Sequence, residues 1–270
     1  MPQNSHSESN QFKIKCSSHL SKFFDDQIDY AYVRHTVDEI EQGNKQILRL
    51  PEGAEKGRIA AGRRTLEASV ILGITEEADR EKSGKLEIKE MQERLLEAYA
   101  KHEEIWFDYK NDIEQKWEGV EGRGGQEAEV YRGMNYSLWK VVDYYQNSNN
   151  LLEFLDNRVA IHNLLFPDTK YELIGFSKKK NRLQVIIAQS FIEGRNYRKD
   201  DHFPDYMESL GYEQIDDTTY YNKFFIIRDL HEANVLKIQK GFAFVDTIPA
   251  LLDKTAYRNF QIIDIIKNRV

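Results

Sequence analysis

Ile227-Arg228-Asp229-Leu230-His231-Glu232-Ala233-Asn234-Val235-Leu236 is the stretch on which the fold of this chain turns. An apolar run ends in it and Val235-Leu236 opens another, so Asp229 and Asn234 fall in a loop between two strands. Residues 235–238 and 242–245 then pair as a hairpin across Gln239-Lys240-Gly241, and Asp246 stands at its end, twelve residues beyond Asn234. One aspartate at a strand end is commonly a turn residue. Asp, Asn and Asp at these offsets around one hairpin outweigh that reading. Phosphoryl transfer needs a carboxylate to orient an attacking hydroxyl and oxygen ligands to hold magnesium. Asp229 fits the first role, and Asn234 and Asp246 fit the second. His231 has no second histidine at ligand spacing beside it and reads as a loop-holding or core residue.

Working back along the chain, Leu138-Trp139-Lys140-Val141-Val142 places a lysine inside an apolar strand. Such a lysine is ordinarily the exposed residue of a half-buried strand. In a phosphotransferase it is the cation that pairs with the phosphates of ATP. Glu153, near the start of a helix expected over residues 149–165, is its natural ion-pair partner, and Asp156 competes one turn later. Further upstream, Gly122, Gly124 and Gly125 would let backbone approach phosphates between two strands, although such a cluster is equally a linker between domains.

Composition bounds the answer. Forty per cent of the 270 residues are hydrophobic and the formal net charge is -7, which gives ample core material and no electrostatic case for nucleic acid. The single cysteine, Cys16, excludes an intramolecular disulfide framework and a thiolate zinc site of its own. With no signal-peptide pattern and no bilayer-length apolar run, the expected location is cytoplasmic. Residues 1–11 read as a disordered leader. Residues 12–118 read as α-helical, with helices over 35–48, 54–72 (ending at Gly73) and 86–117, a break at Leu50-Pro51-Glu52-Gly53 and a charged connection over 76–84. From Gly119 the texture turns to short strands, over 129–131, 138–142, 171–176, 183–189, 219–221 and 224–227, with helices near 202–210 and over 254–267. Trp106, Trp117 and Trp139 read as packing residues.

The Asp229–Asn234 loop followed by Val245-Asp246 resembles the catalytic and metal-binding loops of the protein-kinase-like superfamily. Its Asp-x-His-x-x-Asn form is similar to that of aminoglycoside phosphotransferases. A closer resemblance is to the kinase domain of polyvalent proteins of phages and mobile elements. It rests on Gly-Gly-Gln-Glu-Ala-Glu-Val-Tyr (124–131), Leu-Leu-Glu-Phe-Leu-Asp-Asn-Arg (151–158), residues 162–176, Ile-Ala-Gln-Ser-Phe-Ile-Glu-Gly (187–194) and residues 229–236. The resemblance implies an α+β, bilobal kinase-like domain over 119–270, with an N-lobe over 119–189 and a reduced C-lobe over 190–270. It implies ATP and Mg2+ as cofactors, a protein hydroxyl as acceptor, and an adenine-binding hinge at Ala188, Gln189 and Phe191. Ile227 replaces the histidine that many kinases carry two residues before the catalytic aspartate, and Thr247-Ile248 replaces Phe-Gly after Asp246. Both departures also occur in kinase-like phosphotransferases. Twenty-four residues follow Asp246, too few for a full set of substrate-binding helices. A small-molecule phosphotransferase and a non-catalytic nucleotide-binding module therefore stand beside the protein-kinase expectation.

Overall fold

The computed structural model describes residues 28–42, 59, 62–82, 85–124, 127–146, 148 and 150–252. The expected leader, the break at 50–53, Gly125 and the helix over 254–267 lie outside these residues.

Three helices come first. Helix α1 (Tyr30–Glu41) starts where the Asp29 carboxylate accepts the Tyr32 N–H at 3.0 Å, a side-chain N-cap, and buries Val33, Val37 and Ile40. Helix α2 (Arg63–Lys82) runs through Gly73 and takes in most of the expected charged connection. Its Glu, Ala, Arg and Lys residues are good helix formers, and their summed preference exceeds the cost of one internal glycine, about 1 kcal/mol. Helix α3 (Lys85–His102) packs Leu95, Leu96 and Tyr99 into the shared core. The Tyr99 hydroxyl donates to buried Glu67 at 2.6 Å, and Arg63 bridges Glu67 to Asp38 and Glu41, tying the three helices together.

The helix expected over 86–117 is corrected here, because it stops at His102. Glu104 adopts φ 57°, the Ile105 N–H reaches back to the Ala100 carbonyl at 2.8 Å, and the Glu104 N–H reaches Lys101. This is a Schellman stop, made without its usual glycine. Trp106–Phe107 then forms β1, paired in parallel with β5 (Tyr171–Lys179). Gly175 permits that close approach: a Cβ there would lie 2.1 Å from the Ile105 carbonyl oxygen. A π-helical turn, Tyr109–Glu114, follows.

Strand β1 is the edge of a six-stranded sheet completed by β2 (Gly119–Gly124), β3 (Ala128–Arg132), β4 (Ser137–Val142), β5 and β6 (Arg182–Ser190), in the order β1-β5-β6-β4-β3-β2. One face carries Val141 and Ile186 against Ile113 and an aromatic group that includes Phe107, Trp117 and Tyr131; Trp117 and Trp139 meet edge-on at 4.8 Å. Alternation along β4 turns Lys140 and Val142 the other way, toward the main core. That core also receives helix α4, a continuous run over residues 151–165. Its ends, Leu151–Phe154 and His162–Leu165, are α-helical and its middle, Leu155–Ile161, is π-helical.

Beyond β6 lie β7 (Arg195–Asn196), helix α5 (Phe203–Ser209), β8 (Glu213–Asp216), β9 (Thr219–Tyr221), β10 (Phe225–Arg228), β11 (Val235–Ile238), β12 (Gly241–Phe244) and β13 (Ile248–Leu251). They make a sheet ordered β13-β10-β9-β8 and another ordered β12-β11-β7. The expected hairpin forms as β11 and β12, turning at Gln239 and Lys240 with Gly241 at φ 98°. A second core gathers Phe203, Met207, Tyr220, Ile227, Leu230, Val235, Phe242 and Phe244. The fold is α+β. No helix among the described residues is long and apolar enough to cross a membrane.

Candidate functional site

The site forms where the sheets converge. Strand β10 pairs antiparallel with β13, Arg228 opposite Ile248, so Asp229 leaves β10 at the end where the Asp246-Thr247 segment enters β13. The Val245 N–H donates to the Asn234 carbonyl at 2.9 Å, joining the loop at 229–234 to the segment that carries Asp246.

Within the loop, Asp229 takes φ 67°, a left-handed conformation that aspartate tolerates better than most residues. Its neighbour is fixed on both sides: the Leu230 N–H donates to Thr218 at 2.9 Å and the Leu230 carbonyl accepts the Tyr197 hydroxyl at 3.2 Å. Asn234 Nδ2 donates to the Asp229 carboxylate (Oδ2, 2.8 Å) and to the Asp229 carbonyl (3.0 Å). Both bonds fix the amide so that its oxygen points away from Asp229. His231 Nδ1 accepts the Ala233 N–H at 3.1 Å, so the neutral ring carries its proton on Nε2, which lies 3.5 Å from Asp229 Oδ1. The histidine thus belongs to the loop rather than to the core, with its side chain 40% exposed.

Lys140 is buried, which removes it from the class of solvent-facing strand lysines. Its Nζ donates to the Val245 carbonyl at 2.7 Å and to the Tyr171 hydroxyl at 3.2 Å, and lies 3.7 Å from Asp246 Oδ1. Burial alone would lower the lysine pKa, but Asp246 and Tyr171 reverse this and hold it above its ordinary value. Burial likewise opposes ionisation of Asp246, yet Lys140 and Arg158 outweigh it and keep that carboxyl below the usual range. The carboxylate placed against Lys140 is therefore Asp246. Glu153 takes the Asn150 side chain as its N-cap, and its charge bears on Arg228.

Two supports escaped sequence reasoning. Arg158, from the π-helical part of α4, donates to Asp246 Oδ1 at 2.7 Å. His162, wholly buried, faces the Thr247 hydroxyl at 3.3 Å through Nδ1 and the Thr169 carbonyl at 3.0 Å through Nε2. Burial depresses its pKa to about 3, so the ring is neutral and anchors the residue beside Asp246. Neither residue stands in a pattern whose spacing announces a site.

Gly122 and Gly124 lie in β2, with Gly124 opposite Glu129 and the pairing with β3 irregular between Gly119 and Gly124. Ala188 and Gln189 sit in β6 between β4 and β5. Phe191 leaves the sheet with its N–H on the Tyr136 carbonyl at 2.7 Å and half its surface exposed.

The site thus brings a buried lysine from one sheet against an aspartate that follows a hairpin in another. A family model for serine/threonine/tyrosine kinases found in polyvalent proteins matches residues 89–253. The chain belongs to this kinase family. The match begins inside α3 and takes in the thirteen strands of the described residues, so the family unit includes β1 and most of the helix that feeds it. No curated protein and no solved structure matches the chain, and nothing in these comparisons adds to the likeness with aminoglycoside phosphotransferases. The chain thus carries a kinase-like phosphotransferase domain.

Proposed function

We propose that this kinase-family domain transfers the γ-phosphoryl group of Mg-ATP to the hydroxyl of a protein Ser, Thr or Tyr. The observation that carries the reading is the convergence of Lys140 with the segment 245–246, with Asp229 held at the same strand ends by the Arg228–Ile248 register. A phosphate-pairing cation, a metal ligand and a hydroxyl-orienting carboxylate then belong to one place. The acceptor class follows the family description.

The residues fit the cofactor. The Asn234 amide nitrogen is engaged by two bonds to Asp229, which turns its oxygen away from that residue, and both cations at Asp246 approach Oδ1, which leaves Oδ2 to face a metal ion. Among the described residues no group of three His, Cys, Asp or Glu side chains could hold a metal alone. That agrees with magnesium, which takes one or two protein oxygens and completes its shell with phosphate and water. When bound, Mg-ATP supplies the transferable phosphoryl group and neutralises the charge developing on it. Lys140 pairs with the phosphates. Asp229, its carboxylate oriented by Asn234 and His231, accepts the hydrogen bond of the acceptor hydroxyl. Gly122, Gly124 and Gly125 offer backbone to the phosphates, and residues 188–191 receive adenine, with the exposed ring of Phe191 as an aromatic face.

The bilobal reading belongs to this proposal. Separate clusters support it: the six-stranded sheet has apolar packing on both faces, and another cluster, which also takes in Phe166, lies among the smaller sheets; the proposed division falls near residues 189–190. An N-terminal helical region and a reduced C-lobe complete the proposed organisation; because β1 belongs to the six-stranded sheet, the boundary expected at 118–119 moves upstream of Trp106.

Transfer is tested by incubating the protein with labelled ATP, magnesium and generic protein or small-molecule hydroxyl acceptors. Asp229→Asn keeps a side chain able to contact Asn234 but loses the carboxylate, and should slow labelling by about 100-fold or more. Equal label on wild type and variant would remove Asp229 from its role; labelling of small molecules alone would move the acceptor class.

A further inference from the structure

Arg158 is buried, with 8% of its side chain exposed, yet it projects into the candidate site from a helix whose sequence offers Glu153 and Asp156 as the more obvious charges. The π-helical stretch Leu155–Ile161 accounts for its aim, since the wider turn shifts side chains off the α-helical register. Its guanidinium spans two carboxylates. One terminal nitrogen donates to Asp246 Oδ1 at 2.7 Å, and the other lies 3.7 Å from Glu127, the first described residue after the glycine-rich turn. Lys140 approaches the same Asp246 oxygen at 3.7 Å. A carboxylate on a free side chain rotates and offers either oxygen; this one has Oδ1 tied to a rigid guanidinium fork. Arginine suits that task better than lysine because its donors are fixed in a plane.

We infer that Arg158 is a positioning residue for the metal: it locks the Asp246 carboxylate so that Oδ2 faces the ion, and it ties that carboxylate to the end of the glycine-rich turn through Glu127. The inference rests on the reading of Asp246 as a metal ligand. Ligating carboxylates are commonly held in this way by an outer partner, and losing the partner weakens metal affinity by about 10- to 100-fold.

The test is titration of nucleotide binding against magnesium, using ADP and ATP with wild type, Arg158→Met and Arg158→Lys. Arg158→Met fills similar space without charge or donors. It should need about 10-fold or more magnesium to reach the half-maximal gain in nucleotide affinity, while affinity without magnesium, carried by Lys140 and the adenine contacts, changes far less. Arg158→Lys restores the charge without the fork and should fall between the two, which also separates positioning from loss of fold if Arg158→Met is unstable. A magnesium dependence in both variants that matches wild type overturns this inference alone. A wild type whose nucleotide affinity does not respond to magnesium overturns the metal reading of Asp246 and this inference with it.

Discussion

His162 makes acid stability a sharp test of the structure. The ring is wholly buried between Thr247 and Thr169, and its pKa falls from 6.5 to about 3 on folding. Below pH 6.5 the unfolded chain takes up a proton that the folded chain refuses until about pH 3. A group with a depressed folded pKa contributes its stability above the unfolded value and loses it as pH falls toward the folded one. The loss is about 1.4 kcal/mol per pH unit within that window. Between about pH 7 and pH 5 the histidine alone removes about 2 kcal/mol, a sizeable part of the roughly 5–15 kcal/mol that holds a typical domain. The assay is urea denaturation of wild type and His162→Gln across this range. Glutamine keeps a donor near the Thr169 carbonyl but cannot titrate. It should cost about 1–3 kcal/mol at neutral pH through the weakened Thr247 contact, and should then show a flatter pH dependence than wild type by about 2 kcal/mol. Equal slopes in the two proteins would mean that the ring is not the buried neutral base described here. Because Thr247 follows Asp246 in the chain, the same protonation should loosen the site before the whole domain unfolds.

Two changes near β1 have opposite expected signs. Gly175→Ala puts a Cβ against the Ile105 carbonyl and the Phe107 ring, and should destabilise the domain by about 2–3 kcal/mol in chemical denaturation; a neutral result would show that β1 is not seated on β5 as described. Glu104→Gly relieves the left-handed conformation that ends α3 and should raise stability by up to about 1 kcal/mol in the same measurement; a loss would count against the Schellman stop.

What could be read from the sequence followed from local regularity. The hairpin of β11 and β12, the apolar β6 and the Asp229–Asn234–Asp246 set all show in residue type and spacing, and the structure places the loop and hairpin as expected. Strand β1 could not be read. Trp106 and Tyr109 continue the three- and four-residue steps of α3, and the stop at Glu104 uses a residue that carries no left-handed signature. Strand β13 was hidden because Ile248-Pro249-Ala250-Leu251 is short and holds a proline; its strand character comes from pairing with β10. The site's supports were invisible for a different reason. Lys140, Arg158, His162 and Asp246 lie on three separate elements, and the pairing of Lys140 and Arg158 with Asp246 and the burial of His162 exist only after the sheets have met.

The charges at that meeting point constrain how a cofactor could enter. Lys140 and Arg158 stand with Asp246 and Glu127, two positive and two negative groups whose sum is zero, and both cations are more than nine-tenths buried. Two buried cations are tolerable when half-exposed carboxylates balance them, whereas left unbalanced they incur a heavy desolvation penalty. On the proposed reading, magnesium alone would add two positive charges beside two buried cations. A nucleotide alone would bring its phosphates against Asp246. Bound together, metal and polyphosphate offset each other: the ion would draw on Oδ2 of Asp246 while phosphate oxygens answer the Lys140 charge that the carboxylate no longer fully compensates. On that reading the electrostatics favour joint binding of the two, and Arg158, in contact with Asp246 and facing Glu127, is the side chain through which that coupling would act.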